Sequence, residues 1–202
     1  MKKQVVIIHG GDTFENHEDY LRFLKDFEIR DLEYFRDGKN WKGNLSSALG
    51  DDYEVLAPQM PSKINAKYAE WEVWFDKRVP LLNPEVILVG HSLGGIFLIK
   101  YLSENNISNN IKSLHLVAAP YDAEGTNDAM ADFIITNDLK NVEKQVSNIF
   151  FYQSMDDVVV PPLNVEKYRA LLPGAKIHIF EDRGHFRQEE FPELLENIRN
   201  FS

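Results

Sequence analysis

Ser92 stands in the run Gly90-His91-Ser92-Leu93-Gly94, between an apolar strand (Val86 to Val89) and an apolar helix that starts near Gly95. This is a G-x-S-x-G elbow in the strand–turn–helix setting that can expose a serine hydroxyl as a nucleophile. The bare pattern is short enough to arise by chance. The four-residue strand before it and Ile96-Phe97-Leu98-Ile99 after it make the match specific. Residues two before and two after the serine are expected to lie against each other, so a side chain at Gly90 or Gly94 would clash. The plainer alternative is a serine that merely occupies a tight turn.

A serine hydroxyl is a weak nucleophile at neutral pH and needs a nearby base, itself oriented by an acid. In a parallel sheet with this elbow the partners follow in the order Ser, Asp, His, from loops at the carboxyl ends of later strands. Two loops fit: Ser154-Met155-Asp156-Asp157-Val158-Val159-Val160-Pro161 and Glu181-Asp182-Arg183-Gly184-His185-Phe186. His185 can take the serine proton and return it to a leaving group. Asp157, which opens an Asp-x-Val-Val-Pro run, is preferred as the orienting acid; Asp156 competes and Asp122 is a remoter alternative. Taken singly, the two aspartates could be a turn pair and His185 a loop histidine. Their joint order and strand positions favour a triad.

A tetrahedral intermediate carries an oxyanion that needs two aimed backbone N–H groups. Leu93 should supply one, at the start of the helix. Gly11, in His9-Gly10-Gly11-Asp12 after the first strand, should supply the other, ahead of Asp12. That loop is a poor phosphate cradle, because no lysine follows the glycines and G-x-G-x-x-G is absent. The other histidines read as structural: His115 and His178 alternate with apolar residues in strands, and His91 fills a variable elbow position. His17 lies among Glu15, Glu18 and Asp19 without metal-ligand spacing, so no metal or cofactor is expected. The absence of cysteine removes disulfides, thiol nucleophiles and zinc-thiolate sites.

Six strands can position these groups: Gln4 to Ile8, Tyr53 to Ala57, Val86 to Val89, Ser113 to Ala118, Asn148 to Tyr152 and Lys176 to Phe180. Helical patterns fall between them, at Leu45 to Leu49, Ala66 to Leu82, Ile96 to Leu102, Ala129 to Val146, Val165 to Leu172 and Glu189 to Phe201. Tyr68, Trp71 and Phe75 recur at helical spacing and read as core, with Trp74 pointing elsewhere. Alternation of strand and helix implies an α/β fold with a parallel sheet covered on both faces. No repeat or linker divides the 202 residues, so one domain is expected. Residues 12–41 are an unusual insertion rich in charges and aromatics (Phe14, Tyr20, Phe23, Phe27, Tyr34, Phe35, Trp41), with a possible helix over 19–27. Such a segment can cover a pocket.

The net charge of −10 argues against nucleic acid, anionic membrane and polyanionic partners. The apolar run after Lys2-Lys3 is too short for a signal peptide or a membrane span, and a cytoplasmic location is expected.

His9-Gly10-Gly11, the Gly90–Gly94 elbow, Asp157-Val158-Val159-Val160-Pro161 and Gly184-His185 together resemble the α/β-hydrolase superfamily. Short length, Gly184-His185-Phe186 and an acidic C-terminal helix resemble its small serine hydrolases of the retinoblastoma-binding protein nine type. The resemblance implies a three-layer α/β/α sandwich and a Ser92–Asp157–His185 triad. The family's two opening antiparallel strands have no room before Gln4, so a trimmed six-stranded sheet is expected. The stretch 120–147 is too short for a large lid. The expected activity is hydrolysis of small carboxylic esters, or of thioesters or amides, through an acyl-enzyme. A catalytically silent binding or scaffold protein is the alternative, since fold alone does not fix function.

Overall fold

A computed structural model describes residues 1–29, 40–124 and 130–202. The strands are β1 (Lys3–Ile8), β2 (Tyr53–Leu56), β3 (Glu85–His91), β4 (Asn110–Val117), β5 (Ile149–Ser154) and β6 (Lys176–Phe180). They form one six-stranded sheet in the order β2-β1-β3-β4-β5-β6, and every neighbouring pair is parallel. The α-helices are α1 (His17–Asp26), α2 (Trp41–Leu49), α3 (Tyr68–Asp76), α4 (Leu93–Glu104), α5 (Lys140–Gln145), α6 (Leu163–Leu171) and α7 (Pro192–Asn200).

Successive strand residues point to opposite faces, and both faces are buried. Val5, Ile7, Ile87, Val89, Phe150 and Tyr152 pack beneath Trp41, Leu45 and Leu49 of α2 and Leu194 and Ile198 of α7. Val6, Ile8, Leu88, Leu114, Leu116 and Phe151 pack against α3, α4, α5 and α6. The three-layer sandwich explains why the strands read as nearly unbroken apolar runs. It also explains α4, whose residues from Leu93 to Leu102 are all buried. The lone cation there, Lys100, reaches the carbonyl of Ile134 at 2.7 Å and the carboxylate of Glu104 at 3.3 Å. Tyr68, Trp71 and Phe75 are core residues, whereas Trp74 is partly exposed and donates its indole N–H to Gln59 O.

Several boundaries differ from the periodicity. β4 starts at Asn110, because a register shift beside Val86 and Ile87 lets Ile111 pair with Val86. The helix expected over 66–82 stops at Asp76, and Val79–Leu81, containing Pro80, is a separate 3-10 turn. Among the described residues of 129–146 only a 3-10 turn (Ala131–Phe133) and the short α5 are helical. There Phe133 from the 3-10 turn, Val142 from α5, and Leu139 and Val146 at the ends of α5 reach the core, so their spacing imitates one longer amphipathic helix.

In the insertion, α1 is capped by Asn16, whose side chain accepts from Asp19 N, and none of its residues is buried. Phe14 packs against Tyr20 and Phe23 at ring distances of 5.5 and 5.1 Å. Tyr34 and Phe35 lie outside the described residues. Trp41, grouped with this segment by its sequence position, is instead the first residue of α2 and is fully enclosed.

The chain runs outward from β1 to β2, then returns to β3 and proceeds the other way. The strand order therefore reverses between β1 and β3. Side chains at the carboxyl ends of these two strands border the crevice where open α/β sheets bind ligands.

Candidate active site

β3 ends at His91 and α4 begins at Leu93, so Ser92 alone makes the turn. Its backbone sits at φ 55° and ψ −125°, a region that costs a residue with a side chain on the order of 1–3 kcal/mol. The turn is held from both sides. Ser92 N–H donates to Val117 O at 2.9 Å, and Ser92 O accepts from Gly95 N at 2.8 Å. A Cβ on Gly90 would stand 2.6 Å from Gly94 O, as the pattern requires. Gly94 is bare for a different reason: its missing Cβ would strike the carbonyls of Ile8 and His9 at the end of β1.

The loops after β5 and β6 meet at His185. Its Nδ1 donates to Asp157 Oδ2 at 2.9 Å and is 3.2 Å from Oδ1. Asp157 Oδ1 also accepts from Val159 N at 2.9 Å and Val160 N at 3.0 Å. This use of the Val-Val-Val run fixes the carboxylate, whose side chain is fully buried, while that of His185 keeps 10% exposure. With Nδ1 as donor, His185 Nε2 carries the free lone pair. His185 makes no hydrogen bond to Ser92 Oγ.

The competing acids are engaged elsewhere. Asp156 Oδ1 accepts from Ser154 Oγ at 2.6 Å and Gly184 N at 2.8 Å. These bonds lower its pKa and tie the Asp157 loop to the His185 loop. Asp122 pairs with Lys167 at 2.6 Å.

The loop after β1 lies against the elbow. A Cβ on Gly10 would be 3.0 Å from Ser92 Cβ, and one on Gly11 would be 3.6 Å from Leu93 Cδ2. Asp12 N–H is already spent on Lys63 O at 3.0 Å. Among the described residues, the N–H groups of Gly11 and Leu93 have no protein acceptor. Both are available beside the serine, which separates Gly11 from Asp12. His9 steadies this loop: its Nε2 accepts from Met60 N at 2.9 Å, so Nδ1 holds the proton and donates to Gly10 O at 2.6 Å. Burial lowers the pKa of His9 against that backbone bond, with smaller help from Lys63 and Lys42.

Two residues at this site escape sequence reasoning. His91 is more than a filler of the elbow. It is buried, and its Nε2 donates to the backbone carbonyl of His185 at 3.0 Å. Burial, then Lys42 and His185, hold its pKa well below the usual histidine value. Trp41 donates its indole N–H to Phe186 O and its backbone N–H to Gln188 O, both at 2.9 Å. These straps hold Phe186 at φ 52°, with its ring 5.6 Å from Phe180 and 5.2 Å from Phe191. Trp41 and Phe186 are 145 residues apart, so no local pattern links them. His115 is structural, as expected: its ring nitrogens bond Tyr152 OH and Ser113 Oγ, each at 3.0 Å. Among the described residues no cluster of three or more potential ligands could hold a metal ion, and no helix is long and apolar enough to cross a membrane.

Comparison with known proteins agrees with this frame. The chain is 25% identical to serine hydrolase RBBP9 of Rattus norvegicus over 164 residues, which span 79% of this chain and 85% of the rat protein. The ydeN gene product of B. subtilis superposes with a TM-score of 0.75 at 17% identity, covering 99% of this chain and 98% of that one. A putative yden-like hydrolase from Pectobacterium atrosepticum gives a TM-score of 0.63 at 13% identity, covering 98% and 90%. The architecture is therefore the α/β-hydrolase fold, with six strands and no large lid among the described residues. The profile of the serine hydrolase family matches residues 35–199, and the chain belongs to that family.

Proposed function

We propose that the protein hydrolyses carboxylic esters of small acyl groups, with thioesters or amides as close variants, using Ser92, His185 and Asp157. The carrying observation is the His185–Asp157 pair formed beside a serine at φ 55°, with the N–H groups of Gly11 and Leu93 nearby and without an acceptor among the described residues. His185 Nε2 takes the Ser92 proton as Oγ bonds to the acyl carbon. The carbonyl oxygen becomes an oxyanion and receives the N–H groups of Gly11 and Leu93. Its collapse breaks the bond to the leaving group, which takes the proton from His185. Water, deprotonated by the same nitrogen, then attacks the acyl-enzyme and releases the acid. Asp157 stays ionised and steadies the imidazolium.

The described part of the β4–β5 connection carries only a 3-10 turn and α5. An open site of this kind suits short acyl chains. A soluble small-molecule ester in the cytoplasm is the proposed setting, and the aromatics of α1 and its approach are proposed to border the pocket. The test is turnover of an aryl ester panel together with labelling by a fluorophosphonate probe. Labelling of wild type and not of Ser92→Ala supports the reading. Unlabelled wild type that turns over no ester points to a silent binding protein.

A further inference from the structure

The backbones of three cations, Lys42, Lys63 and Arg187, border this site. Lys42 lies in the first turn of α2, with Nζ 5.2 Å from the centre of the Trp41 ring. The Lys63 carbonyl accepts from Asp12 N at 3.0 Å and blocks any side chain on Gly11. Arg187 sits between Phe186 and Gln188, the two residues whose carbonyls are bonded to Trp41. Each backbone is thus anchored to a different wall: the elbow-facing helix, the loop after β1 and the loop that carries His185.

Among the described residues none of the three makes an ion pair, although the chain has 32 acidic and 22 basic side chains. Exposed cations such as Lys77 and Lys144 also make no ion pair among the described residues; Lys42 differs from them in being half-buried. Burial first, then Lys63 and Arg187, lower the pKa of Lys42 to about 8. The neighbouring rings, His9 and His91, feel the same cations and are themselves shifted toward the neutral form by burial. A half-buried ammonium beside like charges, with an aromatic ring but no carboxylate beside it, destabilises a fold. Here it stands where a ligand could supply the missing charge.

We propose that the substrate carries an anionic group of carboxylate size close to the scissile acyl bond, and that Lys42, Lys63 and Arg187 bind it. This rests on the hydrolase reading above and names its substrate class. The net charge of −10 is no obstacle. It repels extended polyanions, whereas a local positive patch captures one small anion.

The test compares two 4-nitrophenyl esters of matched length, one with an acyl chain ending in a carboxylate (the glutarate monoester) and one ending in a methyl group. Wild type should favour the anionic ester by about tenfold or more in kcat/KM at low salt. The ratio should shrink with added salt and as pH rises through about 8, where Lys42 discharges. In Lys42→Met the ratio should drop about tenfold, and Lys42→Arg should restore it. Using the ratio cancels any general disturbance of the site. A second arm measures glutarate binding to Ser92→Ala by calorimetry, with and without Lys42→Met, against neutral glutaramide. Preference for the neutral ester, or a ratio indifferent to salt and to Lys42, overturns the proposal while leaving the hydrolase reading intact. If neither ester turns over and no probe labels Ser92, the hydrolase reading fails. The calorimetry still decides: glutarate binding that is absent, or unaffected by Lys42→Met, overturns the anion site.

Discussion

His91 Nε2 donates to the backbone carbonyl of His185 at 3.0 Å, and the two rings lie 4.9 Å apart. The residue before the candidate nucleophile thus grips the candidate base. Burial keeps His91 uncharged, so its one ring proton is committed to this bond. His91→Phe keeps a ring but loses the donor. It should lower kcat roughly ten- to a hundredfold with little change in KM, because misplacing a reacting group by about 1 Å costs on that order. Steady-state kinetics on an aryl ester check this; an equal loss in KM alone would place His91 in substrate binding instead.

Two adjacent aspartates have different tasks. Asp157 faces His185 Nδ1, whereas Asp156 ties Ser154 to Gly184. Asp157→Asn should reduce kcat by about 10³–10⁴, since an amide no longer fixes the imidazole tautomer. Asp156→Asn should be far milder in kcat and should show itself as lower thermal stability. Equal kinetic losses in the two variants would contradict this division of roles.

The strain at Ser92 is measurable. At φ 55° and ψ −125° a Cβ is unfavourable, so Ser92→Gly should be more stable than Ser92→Ala by about 1 kcal/mol. This reverses the usual advantage of alanine over glycine, which arises from the unfolded chain. Urea unfolding of the two variants, both lacking the hydroxyl, isolates the effect.

Stability should fall on mild acidification. Burial lowers the pKa of His115 from 6.5 to about 3. Between those values the unfolded chain binds a proton that the folded chain refuses. The contribution is whole above pH 6.5 and is lost as pH falls toward 3, at about 1.4 kcal/mol per pH unit. His91, likewise buried and depressed, adds in the same direction. His115→Gln should flatten the profile between pH 6.5 and 5 by about 1.4 kcal/mol per unit, as read by urea unfolding at several pH values. An unchanged slope would show that His115 does not titrate as its burial requires.

Legibility followed from how local each signal was. Strands buried on both faces read as apolar runs, and the glycine pattern marks the elbow within five residues. Asp157 and His185 could be placed because each follows a strand whose position in the sheet is set by chain order. Chain order could not reveal contacts between distant loops. Trp41 under Phe186, His91 on His185, and the placing of Lys42, Lys63 and Arg187 around one site all depend on packing of separate segments. The average charge of the chain concealed that last cluster. In 129–146, core contacts from a 3-10 turn and the short α5 copied the spacing of one long helix.

The most direct measurement is intact-protein mass spectrometry after exposure to a fluorophosphonate. A single adduct on Ser92, absent from Ser92→Ala and much slower to form in His185→Ala, is the predicted result. An unmodified wild-type protein, or equal labelling of Ser92→Ala, would contradict the account.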